Sequence, residues 1–135
     1  MTLPSKDDLS VFVERAIADK QCNEEILFPL ACITIEKIKR ALHLNMNGYI
    51  CVISSHSIRH IKRGHPKEVK YICHIVEILE TFYRVEKSIT RDKKTGAALV
   101  SLEFYKRCEG STLKLVKLKI HIKKRLELKT LFIRQ

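Results

Sequence analysis

The stretch "SSHSIRHIKRGHP", Ser54 to Pro66, holds three histidines, two arginines and a lysine in thirteen residues. These groups hold metal ions, grip phosphates or trade protons, and spacing separates the three uses. On a helix His56 and His60 are four apart and share a face, with Arg63 three further on. Ile58, Ile61 and His65 make a second stripe, which leaves Arg59 and Lys62 toward solvent. A zinc hydrolase with paired histidines at this spacing needs Glu directly after the first one as its base. Ser57 stands there instead. No Asp or Glu lies between Ser54 and Lys67, and Arg59, Lys62 and Arg63 repel a dication. No metal and no other cofactor is therefore expected. Two readings stay open: a solvated basic face, or core histidines, with no chemistry; and an anion site with acid–base chemistry.

An imidazole takes or gives a proton near neutrality, and neighbouring Lys and Arg stabilise charge that builds on a phosphate. RNA brings its own nucleophile, the 2′-OH beside the scissile phosphate. A base for that hydroxyl, an acid for the leaving 5′-oxygen and surrounding cations suffice. The products are a 2′,3′-cyclic phosphate and a 5′-OH. DNA lacks the 2′-OH, so such a toolkit selects RNA.

The charge distribution points to an anionic partner as well. The chain has 135 residues and a formal net charge of +11. Residues 1–55 carry six Lys/Arg against seven Asp/Glu, whereas residues 56–135 carry twenty against eight. A neutral front and a cationic back describe a scaffold with a binding face. No apolar run approaches the roughly 20 residues that span a bilayer, and "MTLPSKDDLS" lacks the regions of a signal peptide. A cytoplasmic protein that does not engage a membrane is expected. Cys22, Cys32, Cys51, Cys73 and Cys108 show no CxxC spacing and read as reduced core residues.

The elements that must position these groups follow from periodicity. Leu9, Phe12, Val13, Ala16 and Ile17 line one helical stripe behind a Ser5–Asp8 capping box. Pro29 limits any helix in "NEEILFPLA". A second helix is predicted from Thr34 as N-cap to the turn residues Asn47-Gly48. "YICVI" reads as a buried strand, and Ser54 or Ser55 caps the histidine helix, which Gly64 ends. Pro66 opens a further helix with Val69, Ile72, Cys73, Val76 and Leu79 facing the core. The period then changes to two, and "TFYRVEKSI", "AALVSLEFYKR", "TLKLVKLKIHIKK" and "LELKTLFIR" read as four strands joined by short loops. The fold class is α+β: N-terminal helices packed on a four-stranded antiparallel β-meander in a single domain, residues 1–135. In the third strand Leu113 and Leu115 alternate in odd register but Leu118, Ile120 and Ile122 in even register, so a bulge is expected near Leu115–Val116. After it Lys117, Lys119, His121 and Lys123 share one outer, cationic face, with Arg84, Glu86, Ser101, Glu103, Tyr105 and Arg107 as further polar-face candidates.

"YICVISSHSIRHIKRGHP", followed by a helix and four strands ending in "LKTLFIR", resembles the phage-type nucleases of the barnase–EndoU–colicin–RelE-like superfamily, metal-independent RNases and tRNases found in phage, toxin and effector polypeptides. The resemblance covers Leu30 to Arg134, with residues 1–29 as an N-terminal helical extension. It implies helices on a four-stranded antiparallel sheet and matches His60, His65 and Thr130 to the family's functional positions. His56 and His121 are added from chemistry alone. The expected activity is endoribonucleolytic, with His60 and His65 as acid and base, Thr130 orienting substrate and His121 a candidate second acid. His56, Arg59, Lys62, Arg63, Lys117, Lys119 and Arg107 would bind the substrate. The expected partners are RNA, tRNA among the candidates, and an immunity or antitoxin protein. The alternatives are a non-catalytic basic nucleic-acid-binding module and an effector whose basic face meets an acidic protein.

Overall fold

A computed structural model describes residues 2–108, 110–120 and 123–134, without the side chains of Cys108, Ser111, Leu118, Lys119 and residues 132–134. Helix α1 (Lys6–Ala18) begins at the predicted capping box: Ser5 Oγ accepts from Asp8 N at 3.0 Å, and Asp8 accepts from Ser5 N at 3.0 Å. Leu9, Phe12, Val13 and Ala16 are its buried stripe. Strand β1 (Glu25–Pro29) follows, the proline taking its last position. Helix α2 (Cys32–Leu42) starts three residues earlier than expected, with Ala31 at the N-cap and no side-chain cap. Thr34 is not the cap. It lies buried inside the first turn and donates its hydroxyl to the carbonyl of Leu79 at 2.6 Å, an interhelix tie that no local pattern reveals. The helix stops at His43, in the left-handed region at φ 57°.

Strand β2 (Ile50–Ser54) runs directly into helix α3 (Ser55–Gly64), whose N-cap is Ser54, accepting from Ser57 N at 3.1 Å. The helix predicted after Pro66 is a 3-10 helix over Pro66–His74 that continues as α4 (Ile75–Thr81). Four long strands complete the chain: β3 (Arg84–Arg91), β4 (Ala98–Cys108), β5 (Ser111–Ile120) and β6 (Arg125–Arg134). Lys123 and Lys124 belong to the turn before β6, not to the end of the preceding strand.

The fold is α+β, and the sheet corrects the expected strand count. It has six strands in the order β1-β2-β6-β5-β4-β3 and is mixed, because β2 pairs parallel to β6 while the other pairings are antiparallel. Parallel pairing needs a long crossover, and nothing local in "YICVI" or "LELKT" announces that these segments meet. The core lies between the helices and one sheet face, where Phe28, Cys51, Ile53, Leu102, Phe104, Leu113, Leu115, Leu126, Leu128 and Leu131 meet Leu9, Phe12, Ile58, Ile61, Ile72, Ile75 and Ile78.

A bulge is present, but on the other strand. Val116 opposes Thr130 and Lys117 opposes Leu128, so the extra residue is Lys129 of β6. Alternation in β5 is therefore unbroken. Directly opposed residues of a ladder share a face, and Lys117 faces inward with Leu128 and Leu102. It is 0% exposed, not part of an outer cationic face. The outer face is also not uniformly cationic: Arg84 pairs with Glu86, Lys114 Nζ lies 3.4 Å from Glu103, and Arg125 Nη2 lies 2.7 Å from Glu25. Tyr105 is buried there between Glu103 and Glu86, at 3.0 and 3.2 Å, and burial with those carboxylates pushes its hydroxyl up to about 12. The cysteines are mixed: Cys22 and Cys51 are buried, Cys73 is half-buried and Cys32 is exposed. No helix of the described residues is long and apolar enough to cross a membrane.

Candidate active site

Helix α3 leaves the sheet at the end of β2, and β6 runs on past that point. Pairing of β2 with β6 is recorded for Ile50–Arg125, Cys51–Leu126 and Val52–Glu127. Beyond it, the first turns of α3 face the bulged segment of β6 across a cleft of about 250 Å³ lined by His56, Ser57, His60, Glu127, Leu128 and Lys129. Sequence explains each wall. Ser54 caps α3 and bonds Ser57 Oγ at 2.9 Å, while Ile58 and Ile61 are buried and turn the His56–His60 arc outward. On β6, Leu126 and Leu128 are buried, which sends Glu127 to the opposite face, and the bulge adds Lys129 beside it.

Two imidazoles, a carboxylate and an ammonium thus share one cavity at the start of a helix, where the backbone dipole favours negative charge. His56 and His60 are exposed, and neither they nor Lys129 has a hydrogen bond or ion pair to a described residue. Glu127 is half-buried, and Arg125 Nε lies 3.6 Å from its Oε1. Arg125 Nη2 is bonded to Glu25, so this guanidinium bridges two strands and positions the carboxylate. Among the described residues no three His, Cys, Asp or Glu side chains converge as a metal site.

The expected site residues divide. His56 and His60 come together. His65 does not join them: it ends α3, donating its backbone N–H to Ile61 at 2.7 Å, and it is half-buried and engaged with other groups. Thr130 follows the bulge and is half-buried, but Lys129 rather than Thr130 lines the cleft. Lys117 is in the core. Burial holds its ammonium below the usual lysine range, with Cys51 opposing the shift, and its Nζ lies 5.8 Å from the Phe28 ring. Arg107 is exposed over the Tyr83 ring at 5.6 Å, beside a different hollow on the β3–β4 side of the sheet. His121 lies outside the described residues, as does the side chain of Lys119.

Arg59 is not a free surface cation. Its guanidinium donates to the carbonyls of Ala16 at 3.0 Å, Asp19 at 3.3 Å and Cys22 at 2.9 Å, closing the C-terminal end of α1. Ser55, fully buried, reinforces the joint by donating to Cys22 O at 2.8 Å and accepting from Glu24 N at 3.2 Å. Lys62 and Arg63 are exposed and line a second hollow with Lys20.

Sequence reasoning missed Glu127 and Lys129. Alternation in "LELKT" places both away from the core, a signal that was available. That they face α3 rather than open solvent depends on the β2–β6 pairing. Comparisons with protein-family models, curated proteins and solved structures found nothing that matches this chain.

Proposed function

We propose that the chain is a metal-independent endoribonuclease whose active site is the α3–β6 cleft. The observation that carries the reading is the meeting of His56, His60, Glu127 and Lys129 in one open cavity. In the proposed reaction the 2′-oxygen attacks phosphorus as Glu127 takes the hydroxyl proton. The bond from phosphorus to O5′ breaks as protonated His60 supplies that oxygen with a proton. Lys129, His56 and the start of α3 hold the anionic phosphate, the electrostatic part of the work. A carboxylate serves as base and an imidazolium as acid, which divides the roles by charge. This arrangement replaces the expected His60–His65 pair with His60–Glu127.

The resemblance to the barnase–EndoU–colicin–RelE-like nucleases belongs to this reading, with β3 to β6 as the superfamily's meander, β2 as the strand before its helix and β1 as an addition. So do a tRNA substrate and an immunity or antitoxin partner. The test is incubation of the purified protein with total tRNA in EDTA, with the ends of any product identified by mass spectrometry. Cleavage leaving 2′,3′-cyclic phosphate and 5′-OH ends is expected. His60→Ala and Glu127→Gln should each slow it by about 10²–10⁴-fold with unchanged circular dichroism. If the wild-type protein gives no product, or both variants cut at the wild-type rate, the reading is wrong.

One observation favours a second reading, a non-catalytic nucleic-acid-binding module. The hollow formed by Lys20, Arg59, Lys62 and Arg63 has cations and no base. Salt-sensitive binding of RNA and DNA alike, with no product, selects it.

A further inference from the structure

Between the end of α1 and α3 lies a larger cavity, about 450 Å³, lined by Ile17, Lys20, Arg59, Lys62 and Arg63. Four of its five lining residues are cations and none is a carboxylate. Nearby acids are already engaged: Glu24 pairs with Arg15 at 2.5 Å, and Asp19 accepts from Gln21 N at 3.0 Å. Arg59 is occupied by three carbonyls, so it builds the wall that brings the end of α1 against α3. Lys20, Lys62 and Arg63 are exposed and have no hydrogen bond or ion pair to a described residue. Three such cations gathered about one hollow repel each other unless an anion sits among them.

The position of this hollow says which anion. His56 and Arg59 are three apart on α3, as are His60 and Arg63, so the two cavities flank adjoining arcs of one helix. A helix with its side chains is about 10–12 Å across, and a short run of single strand passes over it. We infer that the α1–α3 cavity is a phosphate subsite for the RNA strand whose scissile bond lies in the α3–β6 cleft, with Lys20, Lys62 and Arg63 contacting a flanking backbone phosphate. This inference rests on the ribonuclease reading for the word "scissile"; the subsite itself is tested by binding alone. Lys20 comes from the otherwise neutral N-terminal part of the chain, so the binding face is not confined to the cationic C-terminal half.

The probes are fluorescein-labelled 2′-deoxy oligonucleotides, a dinucleotide and a dodecanucleotide, which lack the nucleophile and are bound without being cut. Fluorescence anisotropy across a salt series compares wild type with the triple variant Lys20→Gln, Lys62→Gln, Arg63→Gln. All three positions are exposed, and circular dichroism checks the fold. Dodecanucleotide affinity should fall at least tenfold at about 0.15 M salt. The slope of log K against log salt should shrink by about 0.7, the contribution of one neutralised phosphate on a single strand. Unchanged affinity and slope overturn the subsite, whether or not the wild type cleaves RNA. A reduced slope with no cleavage of tRNA supports the subsite and sinks the ribonuclease reading instead. Inorganic phosphate is the second arm. If it displaces the dodecanucleotide while chain length gives no gain in affinity, the cavity takes a free anion and the inference fails.

Discussion

At the joint between α1 and α3, Arg59 donates to three backbone carbonyls; in the middle of the sheet, Lys117 reaches Phe28 and Cys51 with no hydrogen-bond partner for its Nζ among the described residues. Both cations leave bulk water, and the two regions handle the cost differently. Arg59 exchanges water for carbonyls at a helix end, where positive charge is favoured, and holds an otherwise frayed terminus in place. Lys117 exchanges water for hydrocarbon, which disfavours its charged form and pushes the amine toward neutrality. A basic residue in this chain is a candidate ligand group only where neither route has taken it. Lys20, Lys62, Arg63 and Lys129 satisfy that condition, as do other exposed lysines such as Lys39 and Lys67, but these four also line the two cavities beside α3.

Lys117→Met keeps an unbranched side chain and removes the amine. It should stabilise the fold by about 2–4 kcal/mol at neutral pH, the penalty of a buried polar group without a partner. Chemical denaturation across a pH series checks the accompanying sign. The folded pKa of Lys117 is lowered, while the unfolded chain titrates near ~10.4. Between those values unfolding takes up a proton, so wild-type stability rises with pH through that window and levels off above it. The Lys117→Met variant should lose that part of the slope. A destabilised variant with an unchanged slope would show that the amine is charged and partnered in the native state.

The opposite sign is expected at the other region. Arg59→Met keeps the unbranched stem and loses three charge-assisted hydrogen bonds, and stability should drop by about 1.5–3 kcal/mol in urea unfolding. Hydrogen exchange should quicken at the end of α1 and around Cys22 before it does in the sheet. Uniform exchange would contradict a local role.

Deletion of Lys129 should have the smallest effect on folding. Leu126, Leu128 and Leu131 are inward, and without Lys129 the sequence Leu126-Glu127-Leu128-Thr130-Leu131 alternates regularly. The pairs Val116–Thr130 and Lys117–Leu128 then become consecutive rungs. Stability should change by no more than about 1 kcal/mol, while affinity for RNA falls because the cleft loses its ammonium and its kinked wall. A deletion that unfolds the protein would mean that the bulge also sets the sheet curvature required by the core.

Much of the fold was legible. The capping box at Ser5, the strand before Ser54, the histidine helix and its end at Gly64 all follow from local chemistry, because caps, turn residues and hydrophobic period act over a few residues. A bulge in this strand pair was legible but not its place: the apolar phase changes in β5, yet the extra residue is Lys129 of β6, so β5 keeps its alternation and Lys117 turns inward. Choosing β5 made Lys117 an outer residue; the core shows that β6 carries the extra residue. Half of the cleft was legible too. His56 and His60 declare themselves by spacing, whereas Glu127 and Lys129 look like ordinary solvent-facing positions of a final strand.

The sequence by itself determined the order of helices and strands, the cationic excess and the outward histidine arc, since each depends on neighbours within one or two turns. Tertiary structure alone decided that β2 lies beside β6, that Lys117 enters hydrocarbon, and that a carboxylate and a lysine stand across from the imidazoles. Those outcomes depend on which distant segments share a ladder and in what register, and side-chain alternation cannot encode the identity of the partner.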